Sequence, residues 1–248
     1  MNTILSRGAY AISLLKLQAL PPPKTGKKLA PINHADFVSA ILSVVPKFPN
    51  TEQPELSIND DNELMVSCSF DQQHHTDVSF IGINTYRANY PITLLFGTGV
   101  SNGHEIIHCP FLEITKKKNE STPQFLEELP QVLSETIGRV NRINELRNTA
   151  YANGEISRNN FILLVSNLII EELIPAHCLQ EIVLGWDADC IRHQRINSIA
   201  FAMQAIFFNL PVAVIEKHKT RSMMIFAELD RRAGFRAADA LNQLSLDL

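Results

Sequence analysis

Between residues 55 and 116 apolar side chains recur at every second position, the period of a strand with one buried face. Leu56 and Ile58 alternate with polar neighbours, Asp60-Asp61-Asn62 supplies turn residues, and Leu64, Val66, Cys68 and Phe70 resume the alternation, which predicts a hairpin. DVSFIGINTYR, ITLLFGTGV and HEIIHCPFLEI continue as strands. Their connections are too short for crossovers, so the expected sheet is an antiparallel meander of about five strands. Beyond Thr122 the period lengthens. Phe125, Leu129, Leu133, Ile137, Val140, Ile143 and Leu146 fall three and four apart and predict one long amphipathic helix, tolerating Pro130 near its start and broken at Asn153-Gly154. Further helices are expected at 157–174, 176–186, 191–209, 218–233 and 236–244, parted by Pro175, Trp186-Asp187 and Pro211. Upstream, Asn33 with Asp36 caps a helix ending near Pro46, and the preceding PPPKTGKKLAP cannot continue one. The fold class that follows is α+β, an N-terminal antiparallel sheet packed with a helical C-terminal half. One domain is expected over 1–248, strand-rich in 1–122 and helical in 123–248.

Composition adds limits rather than a reaction. A chain of 248 residues that is 45% hydrophobic can bury a sizeable core, which excludes wholesale disorder. A formal charge of −4 argues against a protein that coats duplex DNA with basic side chains. Most lysines precede residue 123 and most arginines follow it, yet each part carries more acid than base, so neither is a basic module in bulk. Cys68, Cys109, Cys178 and Cys190 are scattered without a CxxC pair, as expected of free thiols in a reducing compartment. The opening ILSRGAYAISLLKLQAL is interrupted by Arg7 and Lys16 and lacks a small-residue cleavage site. It reads as a first structural element, and the expected location is cytoplasmic, with no membrane partner.

Candidate chemistry is sparse. GTGVSNG spaces its glycines as GxGxxxG and leads into a strand pattern, so it reads as a hairpin turn and not as a dinucleotide loop. TGKK lacks the glycine spacing of a nucleotide-binding loop. His104, His108 and Cys109 suggest zinc, but in a strand residues four apart are separated by about 13 Å, too far for one metal. No nucleophile arrangement is recognisable, and Glu127-Glu128 and Glu171-Glu172 read as solvated helix faces. No cofactor, no metal and no enzymatic activity are therefore expected. Lys116-Lys117-Lys118 is the densest positive cluster, either a solvated turn or a phosphate contact. Arg139, Arg142 and Arg147 recur along the long helix as a basic ridge diluted by Glu135 and Glu145, and Trp186 is expected to anchor packing at a helix junction.

The order of several segments carries more information than any one of them. INTYRANY (83–90), GVSNGHEI (99–106), KKKN, FLEELPQVLSETIGRV, GEISRNNFILLVSNLII, QEIVLGW, INSIAFAMQAIFFN and TRSMMIFAELD follow one another along the chain. Over about residues 78–232 this order resembles that of a phage/plasmid-like family of proteins of unknown function, encoded on mobile elements. The chain departs from the family pattern at its Ser-His-Asp loop, here Thr85-Tyr86-Arg87, at the cysteine before Ser101, here Val100, and in lacking the histidine after the basic stretch. The resemblance implies a mobile-element context and no reaction.

The expected function is that of a non-enzymatic accessory protein that binds a host or element protein, such as an inhibitor of host defence or of a nucleic-acid-processing complex. An acidic surface suits a basic channel. The alternative is binding of single-stranded nucleic acid through the sheet edge and Lys116, Lys117 and Lys118, with Tyr86, Arg87 and Tyr90 stacking on bases or touching phosphates. The candidate working surface lies in the loops at 84–90 and 99–104, through Asn84, Tyr86, Arg87, Asn89, Tyr90, Ser101, Asn102 and His104. It requires both loops to share one end or face of the sheet. The competing reading makes Ser101-Asn102-Gly103 a turn and Tyr86 a packing residue. Oligomeric state is left open.

Overall fold

The computed structural model describes residues 10–20, 32–48, 51, 53–60, 62–70, 76–86, 92–101, 106–116, 122–193, 198–210 and 219–236. Six strands pair in chain order into one antiparallel sheet: β1 (Tyr10–Ala11), β2 (Glu55–Ile58), β3 (Glu63–Phe70), β4 (Thr76–Thr85), β5 (Ile92–Ser101) and β6 (Ile106–Lys116). Five of these are the predicted meander. The sixth, β1, adds two residues to the edge, Tyr10 opposite Ile58. The helices are α1 (Leu14–Gln18), α2 (His34–Leu42), α3 (Thr122–Asn153), α4 (Arg158–Ile170), α5 (Leu179–His193), α6 (Ile199–Phe208) and α7 (Lys219–Ala233). The architecture is α+β.

The alternation decides which face of the sheet is covered. Leu64, Val66, Cys68, Val78, Phe80, Leu94 and Phe96 share a core with Phe37, Val38 and Ile41 of α2 and with Leu129, Leu133, Ile137 and Val140 of α3. A second core gathers Phe161, Leu164, Trp186, Met203, Ile206 and Phe226 from α4 to α7, and Val100 and Cys109 reach into it from the sheet. Helix α3, 32 residues long, serves both cores, with Val140 in the first and Tyr151 in the second. Asn33 caps α2 by accepting from the Ala35 N–H at 2.8 Å, and Ser157 and Ser198 cap α4 and α6 in the same way. Gly154 follows α3 directly, its N–H bonded to Ala150 O at 2.8 Å.

Two expectations about punctuation fail. Helix α5 continues through Trp186-Asp187 to His193, so no junction lies there. Ile182 and Trp186 are one helical turn apart on its buried side, and Trp186 stacks on Phe161 with ring centroids 4.8 Å apart. Trp186 is a packing anchor, but inside a helix. Gly97 and Gly99 lie within β5, as the strand reading of ITLLFGTGV has it, so the turn reading of GTGVSNG does not hold at these two glycines. At Gly97, beside a register shift, a Cβ would fall 2.2 Å from Cys109 O, so the backbone of β6 closes over this position. Helix α6 begins at Ile199, later than expected, and the helix expected at 236–244 lies outside the described residues.

Gly138 is exposed in the middle of α3, and a Cβ there would meet nothing within 4 Å. Gly138→Ala is therefore expected to stabilise the protein by about 0.5–1 kcal/mol, by restricting the unfolded backbone at no steric cost. A higher urea midpoint with an unchanged slope checks it.

Candidate functional site

One end of the sheet brings together the end of β4, the start of β5 and the end of β6, because Glu63 pairs with Thr85 and Ile92 with Lys116. Asn84 is fully buried there. Its Nδ2 donates to Ile32 O and to His34 Nδ1, both at 3.0 Å. With Nδ1 accepting, the His34 Nε2–H donates to Asn62 O at 3.2 Å. Tyr86 lies over the same imidazole, centroids 3.9 Å apart and planes 17° apart, and its hydroxyl accepts from the His34 backbone N–H at 3.1 Å. Burial raises the Tyr86 pKa, which keeps the phenol protonated.

This arrangement clamps the start of α2 to the sheet. Asn84 is thus not a surface contact, since its polar reach goes to the backbone and ring of a segment 50 residues upstream. The face of the Tyr86 ring toward His34 is occupied. Arg87, Asn89 and Tyr90 lie outside the described residues, as do Lys117 and Lys118, while Lys116 ends β6 at this same end of the sheet.

The other candidate loop lies elsewhere. Ser101 closes β5 at the end opposite Ile92, and ten strand residues at about 3.4 Å each put these two strand ends roughly 30 Å apart. The described strand ends that lead into the two loops, Thr85 and Ser101, do not share one end of the sheet. Asn102 and His104 lie outside the described residues.

On the sheet face away from α2 and α3, small residues line up across the strands: Ser69 opposite Ser79, then Gly97, with His108 opposite Gly99. Ser79 Oγ is hydrogen-bonded to His108 Nδ1. Burial pushes the His108 imidazole down to about 4, so it is neutral at physiological pH. Both residues are buried, which makes the pair a core hydrogen bond beside Met65, Ile81 and Leu95. Among the described residues no group of three His, Cys, Asp or Glu is placed to hold a metal. Cys68, Cys109 and Cys178 are buried thiols outside any disulfide, and burial pushes Cys109 up to about 12.

Arg147 leaves the expected basic ridge altogether. It is 3% exposed and points inward, its Nε and Nη2 bonded to the two carboxylate oxygens of Asp230 at 3.0 and 3.1 Å. Arg142 remains outside and pairs with Glu145 at 2.9 Å.

The described surface carries one further feature that periodicity did not single out. Helix α4, the turn at Ala176–Cys178 and α5 wall an open groove of about 520 Å³ lined by Ile162, Ala176, His177, Leu179, Gln180, Val183 and Leu184. Leu163, Ile170 and Leu184 on these two helices are 57%, 78% and 57% exposed. The signal was present in FILLVSNLII, which is apolar around most of the helix and not along one stripe. Trp186 on Phe161 joins the two walls, and Arg158 bonds Asp187 across them through two contacts of 2.8 Å. Gly185 lets the end of α6 approach α5, since a Cβ there would fall 2.6 Å from Asn209 Nδ2. The groove is therefore preformed by packing. Comparison with family models, with curated proteins and with solved structures gave no match.

Proposed function

We propose that this is a non-enzymatic, cytoplasmic accessory protein of a mobile element that binds a host or element protein through the α4–α5 face. The observation that carries the reading is the groove between these helices, with Leu184 in its wall left in solvent and Leu163 and Ile170 exposed elsewhere on α4. Large apolar side chains gathered on one exposed face mark an interaction surface more often than a solvated one. Inhibition of a host defence or nucleic-acid-processing complex fits the same surface, because the segment that builds it, residues 158–188, carries a net −3.

Single-stranded nucleic acid is the second reading. It draws on Lys116 and Tyr86 sharing one end of the sheet. The stacking of Tyr86 on His34 counts against it, since one face of the proposed base platform is taken.

The test compares the wild type with Leu184→Ser, an exposed position in the groove wall. A captured host or element protein, purified and recombined, should form a stoichiometric complex with the wild type and none with the variant, at equal melting temperatures. A partner retained by the variant, or none at stoichiometry, overturns the reading. Oligonucleotide binding that weakens steeply with salt would favour the second one.

A further inference from the structure

We infer that the occupant of the α4–α5 groove is a basic amphipathic helix presented by the partner. This rests on the reading of that face as a protein-binding surface and names what it takes. From Arg158 to Ala188 the chain carries Glu171, Glu172, Glu181 and Asp187 against the single base Arg158, a net −3 out of −4 for the whole protein. Arg158 is itself paired with Asp187. The three remaining carboxylates are exposed, Glu171 and Glu172 just before the Pro175–His177 rim and Glu181 on α5 between groove residues Gln180 and Val183. An apolar groove built by a segment of net −3 selects an apolar stripe flanked by lysine or arginine.

The charge excludes other occupants. A second copy of this chain docked face to face by two-fold symmetry would set −3 against −3. Anionic lipid and nucleic acid are repelled for the same reason. A strand needs an open sheet edge with free backbone donors and acceptors, whereas the groove walls are helices with their backbone groups already paired. A helix meets the groove through side chains alone. Helix α4 has 13 residues, about 20 Å, which matches an occupant of three to four turns.

The experiment uses the full chain and three labelled synthetic 18-residue peptides. One has leucines at i, i+3, i+4 and i+7 with lysines elsewhere, the second carries glutamate in place of lysine, and the third scrambles the first. Fluorescence anisotropy should show saturable binding of the Leu/Lys helix, at least tenfold weaker binding of the scramble and none of the Leu/Glu helix. Glu171→Gln/Glu172→Gln/Glu181→Gln should weaken the Leu/Lys helix by about tenfold and flatten its salt dependence. Leu184→Ser, in the groove wall, should abolish binding. If the Leu/Glu helix binds as well and is lost in the leucine variant, the groove is a docking site but the inferred charge of its occupant is wrong. If Leu/Lys binding survives the leucine variant, the groove is not the site and both readings fall.

Discussion

Arg147→Ala is expected to destabilise the protein by about 3–5 kcal/mol, because it leaves a carboxylate in the interior without its cation. The guanidinium bonds Asp230 through two contacts, and its Nη1 donates to Thr98 Oγ1 at 2.9 Å. Thr98 passes its own proton to Asn144 Oδ1 at 2.7 Å, and Tyr151 donates its hydroxyl to Asp230 at 2.7 Å. The rings of Phe111, Phe226 and Phe235 stand with centroids 5.0–5.3 Å from the guanidinium carbon, so the charge is held away from water. The network ties α3 to β5 on one side and to α7 on the other. Such a network contributes a single register for α7 more than net stability, since well-packed apolar groups in its place are often as stable. Arg147→Ala/Asp230→Ala is accordingly expected to cost less than the sum of the two single changes, by about 1–3 kcal/mol. Urea unfolding of the four proteins checks both statements. A loss below about 1 kcal/mol in Arg147→Ala would mean that the pair is solvated and that α7 docks by apolar contacts alone.

The physics of local pattern explains which parts were legible beforehand. Strands β2 to β6 follow from alternation because one face of the sheet is buried under α2 and α3 and the sheet sets a strict period of two. The long helix follows from Phe125 to Val140, and its end from Gly154. What failed were residues whose role is set by partners far along the chain. Arg147 sits at a helical spacing that suits a solvent ridge, and only Asp230, 83 residues later, turns it inward. Asn84 has loop chemistry, but Ile32 and His34 supply its partners from upstream. Gly185-Trp186-Asp187 has the composition of a break, and the stacking on Phe161 keeps it helical. The strand ends that lead into the two candidate loops lie apart for a topological reason: in a meander, the two connections of one strand leave from its opposite ends. The groove was missed because a helix apolar on most sides reads as core, and its unburied residues emerge only after packing.

Acidification from pH 7 to pH 4 is expected to remove about 3 kcal/mol of stability through His108 alone, and most of that loss should occur above pH 5. The imidazole titrates near 6.5 when unfolded and near 4 when folded, its charged form disfavoured by burial. Between those values the unfolded chain binds a proton that the native state refuses, so stability falls as pH falls. The contribution is level above about 6.5 and exhausted below about 4. The drop from 6.5 to about 4, at about 1.4 kcal/mol per pH unit, gives about 3.5 kcal/mol in full, of which about 3 kcal/mol is lost between pH 7 and pH 4. Carboxylates add losses of the same sign but at lower pH: Glu228 and Asp187 are held below their ordinary values by Arg231 and Arg158. The window from pH 6.5 to pH 5 therefore lies above these carboxylate losses, and the difference between wild type and His108→Gln reads the His108 share within it. His108→Gln should flatten the stability profile there, whatever its stability at pH 7. Ser79→Ala removes the hydroxyl partner but leaves the imidazole buried, so the slope should persist. An unchanged slope in His108→Gln would show that water reaches this face of the sheet and that His108 titrates in the native state as freely as in the unfolded one.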